Sequence, residues 1–132
     1  MPTPPPSKSD VHLRPEDKVL YHAAAVFATN FLPVLQDLAE RAWQATGVPD
    51  ALVPQLRASL LSNAVTNINR LGPQGALTGP AARGDVAAIA RQADVVRQWD
   101  PQAGAAYEAL SALALRMANT SKDATATTAT TS

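Results

Sequence analysis

Apolar positions recur at helical spacing through most of this chain, and the pattern predicts four helices separated by Gly- and Pro-marked breaks. The first should cover about residues 15–46. Pro15, Glu16 and Asp17 suit a helix start, where proline loses nothing and acids face the positive end of the dipole. Gly47 suits its end. Its middle is apolar almost all round: Ala23, Ala24, Ala25, Val26, Phe27, Ala28, Phe31, Leu32, Val34 and Leu35. A helix apolar on every side is ordinarily buried on every side, so it is expected to be the core of the domain. Pro33 should kink it or split it in two.

The second helix, about residues 49–70, is amphipathic. Leu60, Leu61, Ala64, Ile68 and Leu71 share one side, and Ser59, Ser62, Asn63, Thr66 and Arg70 the other. Asp85 caps a third helix over about 86–98, and Asp100 with Pro101 opens a fourth to about 117, with Ala106, Leu110, Leu113 and Met117 as its apolar stripe. The expected fold class is therefore all-α. Residues 1–14 form a proline-rich lead-in and linker, 15–118 the helical domain, and 119–132 a Thr/Ala-rich tail with too little apolar bulk to order itself.

Between the second and third helices lies Leu71-Gly72-Pro73, then Thr78-Gly79-Pro80 and Arg83-Gly84-Asp85. Gly and Pro prescribe the path of such a loop. One reading is a plain joint in which Asp85 serves as helix cap. The other is a site-lining element that offers the Thr78 hydroxyl and the Arg83 guanidinium.

Composition narrows the possibilities. The 132 residues amount to one domain, 46% hydrophobic and 17% charged, with zero formal net charge. No basic surplus marks a nucleic-acid partner. Cysteine is absent, which excludes disulfides and thiolate metal sites and suits a cytoplasmic location. No unbroken apolar run approaches the roughly 18–20 residues of a membrane span, and residues 1–10 lack the apolar core of a secretory signal. The two histidines, His12 and His22, have no companions at metal-ligand spacing, so no metal site is expected. Neither a G-x-G-x-x-G turn nor a P-loop occurs.

The sharpest constellation is on the first helix. Lys18, His22 and Thr29 fall within about 40° of one another at constant helical spacing, with Asn30 on the flank. Lys and His one turn apart are donors suited to polarising a carbonyl or delivering a proton. Each also has an ordinary reading, as a solvated charge or a surface histidine. An amide such as Asn30 inside an apolar run needs partners.

These residues carry a resemblance. Lys18-Val19-Leu20-Tyr21-His22-Ala23-Ala24-Ala25-Val26-Phe27-Ala28-Thr29-Asn30-Phe31, followed by Leu71-Gly72-Pro73, Ala76-Leu77-Thr78-Gly79-Pro80 and Arg83-Gly84-Asp85, resembles the helical domain of unknown function 2520. The resemblance implies a domain that follows an NAD(P)-binding Rossmann domain, in proteins similar to the 6-phosphogluconate dehydrogenase C-terminal-like superfamily. It implies a substrate cleft against that domain and a homodimer formed through helices. Tyr21, His22, Thr29 and Asn30 match the first-helix motif, and Thr78, Gly79, Pro80 and Arg83 the loop; Thr29 stands where the family usually has Ser. The expected site is thus His22 or Lys18 as catalytic donor, with Thr29, Asn30, Thr78 and Arg83 on substrate. NAD or NADP belongs to a complete two-domain protein, and a Rossmann domain in trans is a possible partner. The chain is expected to be a separated or truncated half, or the product of a late start, and to be inactive alone. The alternative is a non-catalytic dimerisation or interaction module.

Overall fold

The computed structural model of the chain describes residues 12–130; the proline-rich stretch over residues 1–10 lies outside them. Every regular element among the described residues is helical, so the chain is all-α as the spacing predicts. It divides into two units, Met1–Val53 and Pro54–Ser132.

In the first unit one helical run extends over Pro15–Ala45. It opens with a 3-10 turn at Pro15–Asp17, continues as α1 (Lys18–Ala25), widens into a π turn at Val26–Asn30, and resumes as α2 (Phe31–Ala45). The expected effect of Pro33 takes the form of that π turn. Proline has no N–H to give the carbonyl one turn back, and its ring crowds that carbonyl. Widening the preceding turn relieves the crowding without ending the helix. The run closes at Thr46 and Gly47, where Gly47 adopts φ 92°. The Gly47 and Val48 amides donate to the Gln44 carbonyl (3.1 Å) and the Trp43 carbonyl (3.2 Å), a paired closure that satisfies terminal carbonyls.

The expectation that this helix is the buried core is corrected. None of its residues is buried. Val19, Leu20 and Phe27 are 78%, 73% and 71% exposed. The described part of the first unit contains only this helix and the turns at its ends, so nothing within the unit covers the apolar side. By length and composition alone, the helix Pro15–Ala45 holds an 18-residue window (mean hydropathy 1.3) apolar enough to cross a membrane. An unbroken-run criterion misses it because Tyr21-His22 and Thr29-Asn30 interrupt the apolar residues. Core helices of soluble proteins pass the same test, so the criterion does not choose between lipid and protein as the covering surface.

A 3-10 turn at Asp50–Leu52 leads into α3 (Val53–Ala76), and the regular part of α3 ends at Gly72, whose φ of 74° and ψ of 168° leave the helical region. Pro73 then opens a last short turn, so the helix expected to stop at Arg70 stops close to there and restarts. Its apolar side is largely uncovered, with Leu60, Ile68 and Leu71 about half exposed.

The loop between α3 and α4 (Val86–Trp99) has the fixed path its glycines imply. Gly79 and Gly84 sit at φ 89° and 69°, a region costly for any residue with a Cβ. Between them the Gly84 amide donates to the Ala81 carbonyl at 3.1 Å and the Asp85 amide to the Pro80 carbonyl at 2.8 Å. Ala81 is buried beneath this turn. The Asp85 carboxylate then accepts from the Ala88 amide at 3.0 Å, the N-cap expected of it.

Asp100 joins α4 to α5 (Pro101–Thr130) and caps the second helix of the pair, its carboxylate accepting from Gln102 and Ala103 amides at 3.0 and 3.1 Å. The two helices pack on small residues. Ala88, Ala93, Ala103 and Ala118 are buried, whereas Leu110 and Leu113 of the expected stripe are exposed. Gly104 permits the closest approach: a Cβ there would lie 2.6 Å from the Arg97 Cα. Arg97 also pairs with Asp94 and Glu108, and the Tyr107 hydroxyl donates to Gln92 across the hairpin. α5 continues well past Met117. Residues 119–130 of the segment expected to be a tail continue α5, and residues 131–132 lie outside the described residues. The Thr120 hydroxyl donates to the Arg116 carbonyl at 2.9 Å within this extension.

Candidate functional site

The expected site residues divide between the units. Lys18, His22, Thr29 and Asn30 belong to the first, and Thr78 and Arg83 to the second. Each group is built separately.

On the first helix the π turn changes the register that constant spacing implies. Its i→i+5 bonding advances each residue by roughly 80° rather than about 100°, a lag of roughly 100° by Asn30. Asn30 thereby comes into line with Lys18 and His22, and Thr29 moves to the flank. The expected stripe was Lys18, His22 and Thr29; the geometry favours Lys18, His22 and Asn30. Hydrogen bonding agrees. The Thr29 hydroxyl donates to the Ala25 carbonyl of its own helix at 2.9 Å, and the Asn30 Oδ1 lies 3.2 Å from the same hydroxyl oxygen. The Asn30 amide NH2 and the Lys18 ammonium have no partners among the described residues. Both are exposed, as is His22. The His22 ring stands edge-on to Tyr21, with centroids 5.9 Å apart and planes at 67°, a contact that restrains the imidazole without occupying its nitrogens. Three donors in line, one restrained by an aromatic neighbour, can bind a carbonyl, carboxylate or imine and deliver a proton to it.

In the second unit Thr78 and Arg83 project from the fixed loop and are exposed, without partners among the described residues. A second cation reaches the same loop. The Lys122 Nζ lies 3.5 Å from where a Cβ of Gly84 would stand. Sequence reasoning missed Lys122 because it assigned that segment to a disordered tail; only the continuation of α5 carries it there. Asp85 is committed to capping α4, so the Arg-Gly-Asp tripeptide is a helix entry. A shallow groove of about 300 Å³ runs between α4 and α5, lined by Ile89, Ala93, Ala112 and Leu115 and ended by Arg97 and Glu108. None of the expected site residues lines it.

No curated protein and no solved structure matches this chain. A family does, described as a domain of unknown function (DUF2520), and the match covers residues 7–114, including the first helix, α3, the loop, α4 and nearly half of α5. Over four-fifths of its length, with both the first-helix motif and the loop motif inside the match, the chain belongs to the DUF2520 family.

Proposed function

We propose that this chain is the substrate-side, dimer-forming helical half of an NAD(P)-dependent reductase-like protein, of the 6-phosphogluconate dehydrogenase C-terminal-like type. The observation that carries the reading is the two-sided first helix. One side presents exposed donors, Lys18, His22 and Asn30, whose N–H groups have no hydrogen-bond partner among the described residues, and the other presents uncovered apolar residues. The apolar side calls for a protein surface to cover it. The donor side suits a substrate whose carbonyl or imine carbon receives hydride while its oxygen or nitrogen receives a proton. Thr29 flanks that stripe. Within the second unit, Thr78 and Arg83 offer a hydroxyl and an anion anchor on the loop.

The dinucleotide is held elsewhere, on a Rossmann domain in the same polypeptide or in trans. Pyrophosphate needs backbone amides at a glycine-rich turn and helix start, and no such turn occurs in these 132 residues. The chain alone is therefore expected to bind neither NADH nor NADPH. Titration calorimetry should show no binding at micromolar affinity, about −8 kcal/mol; binding at that strength would place the cofactor site within this chain and reverse the assignment. Joined to a dinucleotide-binding half of its family, the chain should support NAD(P)H oxidation by a carbonyl or imine substrate.

A non-catalytic dimerisation module is the second reading, favoured by the uncovered apolar side alone. It predicts the same self-association with no effect of Lys18, His22 or Asn30 on any turnover.

A further inference from the structure

We infer that the loop between α3 and α4 binds a phosphate group, held between Arg83 and Lys122. Arg83 is the anion anchor of the reading above; the inference rests on that assignment, adds the second cation and names the anion.

The backbone fixes the place. The Arg83 amide donates to the Gly79 carbonyl at 3.4 Å and the Gly84 amide to the Ala81 carbonyl at 3.1 Å. This closure turns the chain back, so that Arg83 stands beside the backbone that follows Thr78. Both side chains are exposed. α5 returns along α4, as the Arg97–Glu108 and Tyr107–Gln92 contacts show, and runs past its first turn. There the Lys122 Nζ lies 3.5 Å from where a Cβ of Gly84 would stand, in space that glycine leaves open. The ammonium is thus about 5 Å from the Gly84 Cα and within about 9 Å of the Arg83 Cα. An arginine side chain reaches across most of that distance, so one small anion can touch both cations.

Charge says what the loop lacks. Neither Arg83 nor Lys122 has an acidic partner among the described residues. The carboxylate next along the chain, Asp85, is committed to the α4 N-cap, where it accepts from the Ala88 amide. Two cations and the positive end of α4 therefore face one carboxylate, and an ammonium at a helix start is disfavoured unless an anion accompanies it. The number of cations selects the anion. A carboxylate has two oxygens, which the planar guanidinium fork takes by itself. A phosphate brings a third oxygen and a second negative charge, which suit the compact ammonium of Lys122. The Thr78 hydroxyl is a further donor on the same loop. The family match ends at residue 114, so Lys122 is a feature of this chain outside the matched domain.

Amide spectra of the isotope-labelled full chain, titrated at low ionic strength with inorganic phosphate, test the site. The Gly79 and Gly84 signals should shift along a saturating curve of about millimolar affinity, and acetate should bind about tenfold more weakly or worse. Lys122→Met and Arg83→Met should each weaken phosphate binding about tenfold, the size of one charge-assisted hydrogen bond, while Lys122→Arg keeps it. Arg91→Met removes the same charge from α4 away from the loop and should change binding less than about twofold. All three side chains are exposed, so helicity should not change. Glycerol phosphate in place of inorganic phosphate identifies the source: tighter binding assigns the site to an organic phosphate, weaker binding to the free ion. The readout is binding, so its failure is distinct from failure of the reductase reading, which turnover decides. Phosphate binding unmoved by Lys122→Met, or lost equally in Arg91→Met, would overturn the two-cation site. Acetate bound as tightly as phosphate would overturn the choice of anion, and no shift at either glycine up to about 50 mM phosphate would overturn the site outright.

Discussion

Replacing His22 with Gln is expected to lower turnover about 10²–10⁴-fold in the chain joined to a dinucleotide-binding half, the range for loss of a general acid. Glutamine keeps a hydrogen-bond donor of similar reach but cannot release a proton. A loss of that size therefore separates proton delivery from simple orientation. The helix should survive the change, because His22 is exposed and its contact with Tyr21 is local. Lys18, one turn earlier on the same stripe, is the rival donor. If Lys18→Met produces the large loss and His22→Gln only a few-fold change, the proton comes from the ammonium. If neither moves turnover, the donor stripe has no catalytic part and the interaction-module reading replaces the reductase one.

Gly104→Ala should destabilise the α4–α5 hairpin by about 1–3 kcal/mol, the usual cost of forcing atoms into a packed contact. Two effects oppose each other here. Alanine favours a helix over glycine by about 1 kcal/mol. Against that, the new Cβ would meet the Arg97 Cα at 2.6 Å, its Cβ at 2.8 Å and its backbone nitrogen at 3.0 Å. Two of those atoms are backbone and cannot rotate away, so α4 has to shift as a body and the clash outweighs the propensity. Loss of close approach would also strain the pairing of Arg97 with Glu108 and of Tyr107 with Gln92. The midpoint of urea unfolding, followed by circular dichroism, measures the change. An unchanged or raised midpoint would show that the two helices separate without cost.

Much of the fold can be read from local chemistry. Asp85 and Asp100 are caps whose sequence context, with Pro101 following the second, states their role, and Gly47 ends its helix as its position suggests. What resisted reading depends on facts beyond the local pattern. Periodicity shows that residues 23–35 are apolar all round, but not whether the covering surface belongs to the same chain; here the expected burial is missing. Constant spacing cannot anticipate a π turn, and so it grouped Thr29 rather than Asn30 with His22. Pro33 was the available signal, since a proline inside a long apolar helix demands a local change of hydrogen bonding. Low apolar content gave no signal for a helix after Met117, whereas α5 continues there and carries Lys122 to the loop. The small residues at the α4–α5 contact were passed over because a leucine stripe is the more conspicuous pattern; Gly104, with alanines nearby, was the mark of close helix approach.

In the proposed function the apolar side of the first helix is a protein interface. Sedimentation equilibrium of the full chain, with helicity monitored in the same samples, tests it most directly. At tens of micromolar, a rough working range for a stable interface, the account predicts a helical dimer that dissociates on dilution. A monomer with full helicity across that range would leave Val19, Leu20 and Phe27 uncovered in solution and would contradict it.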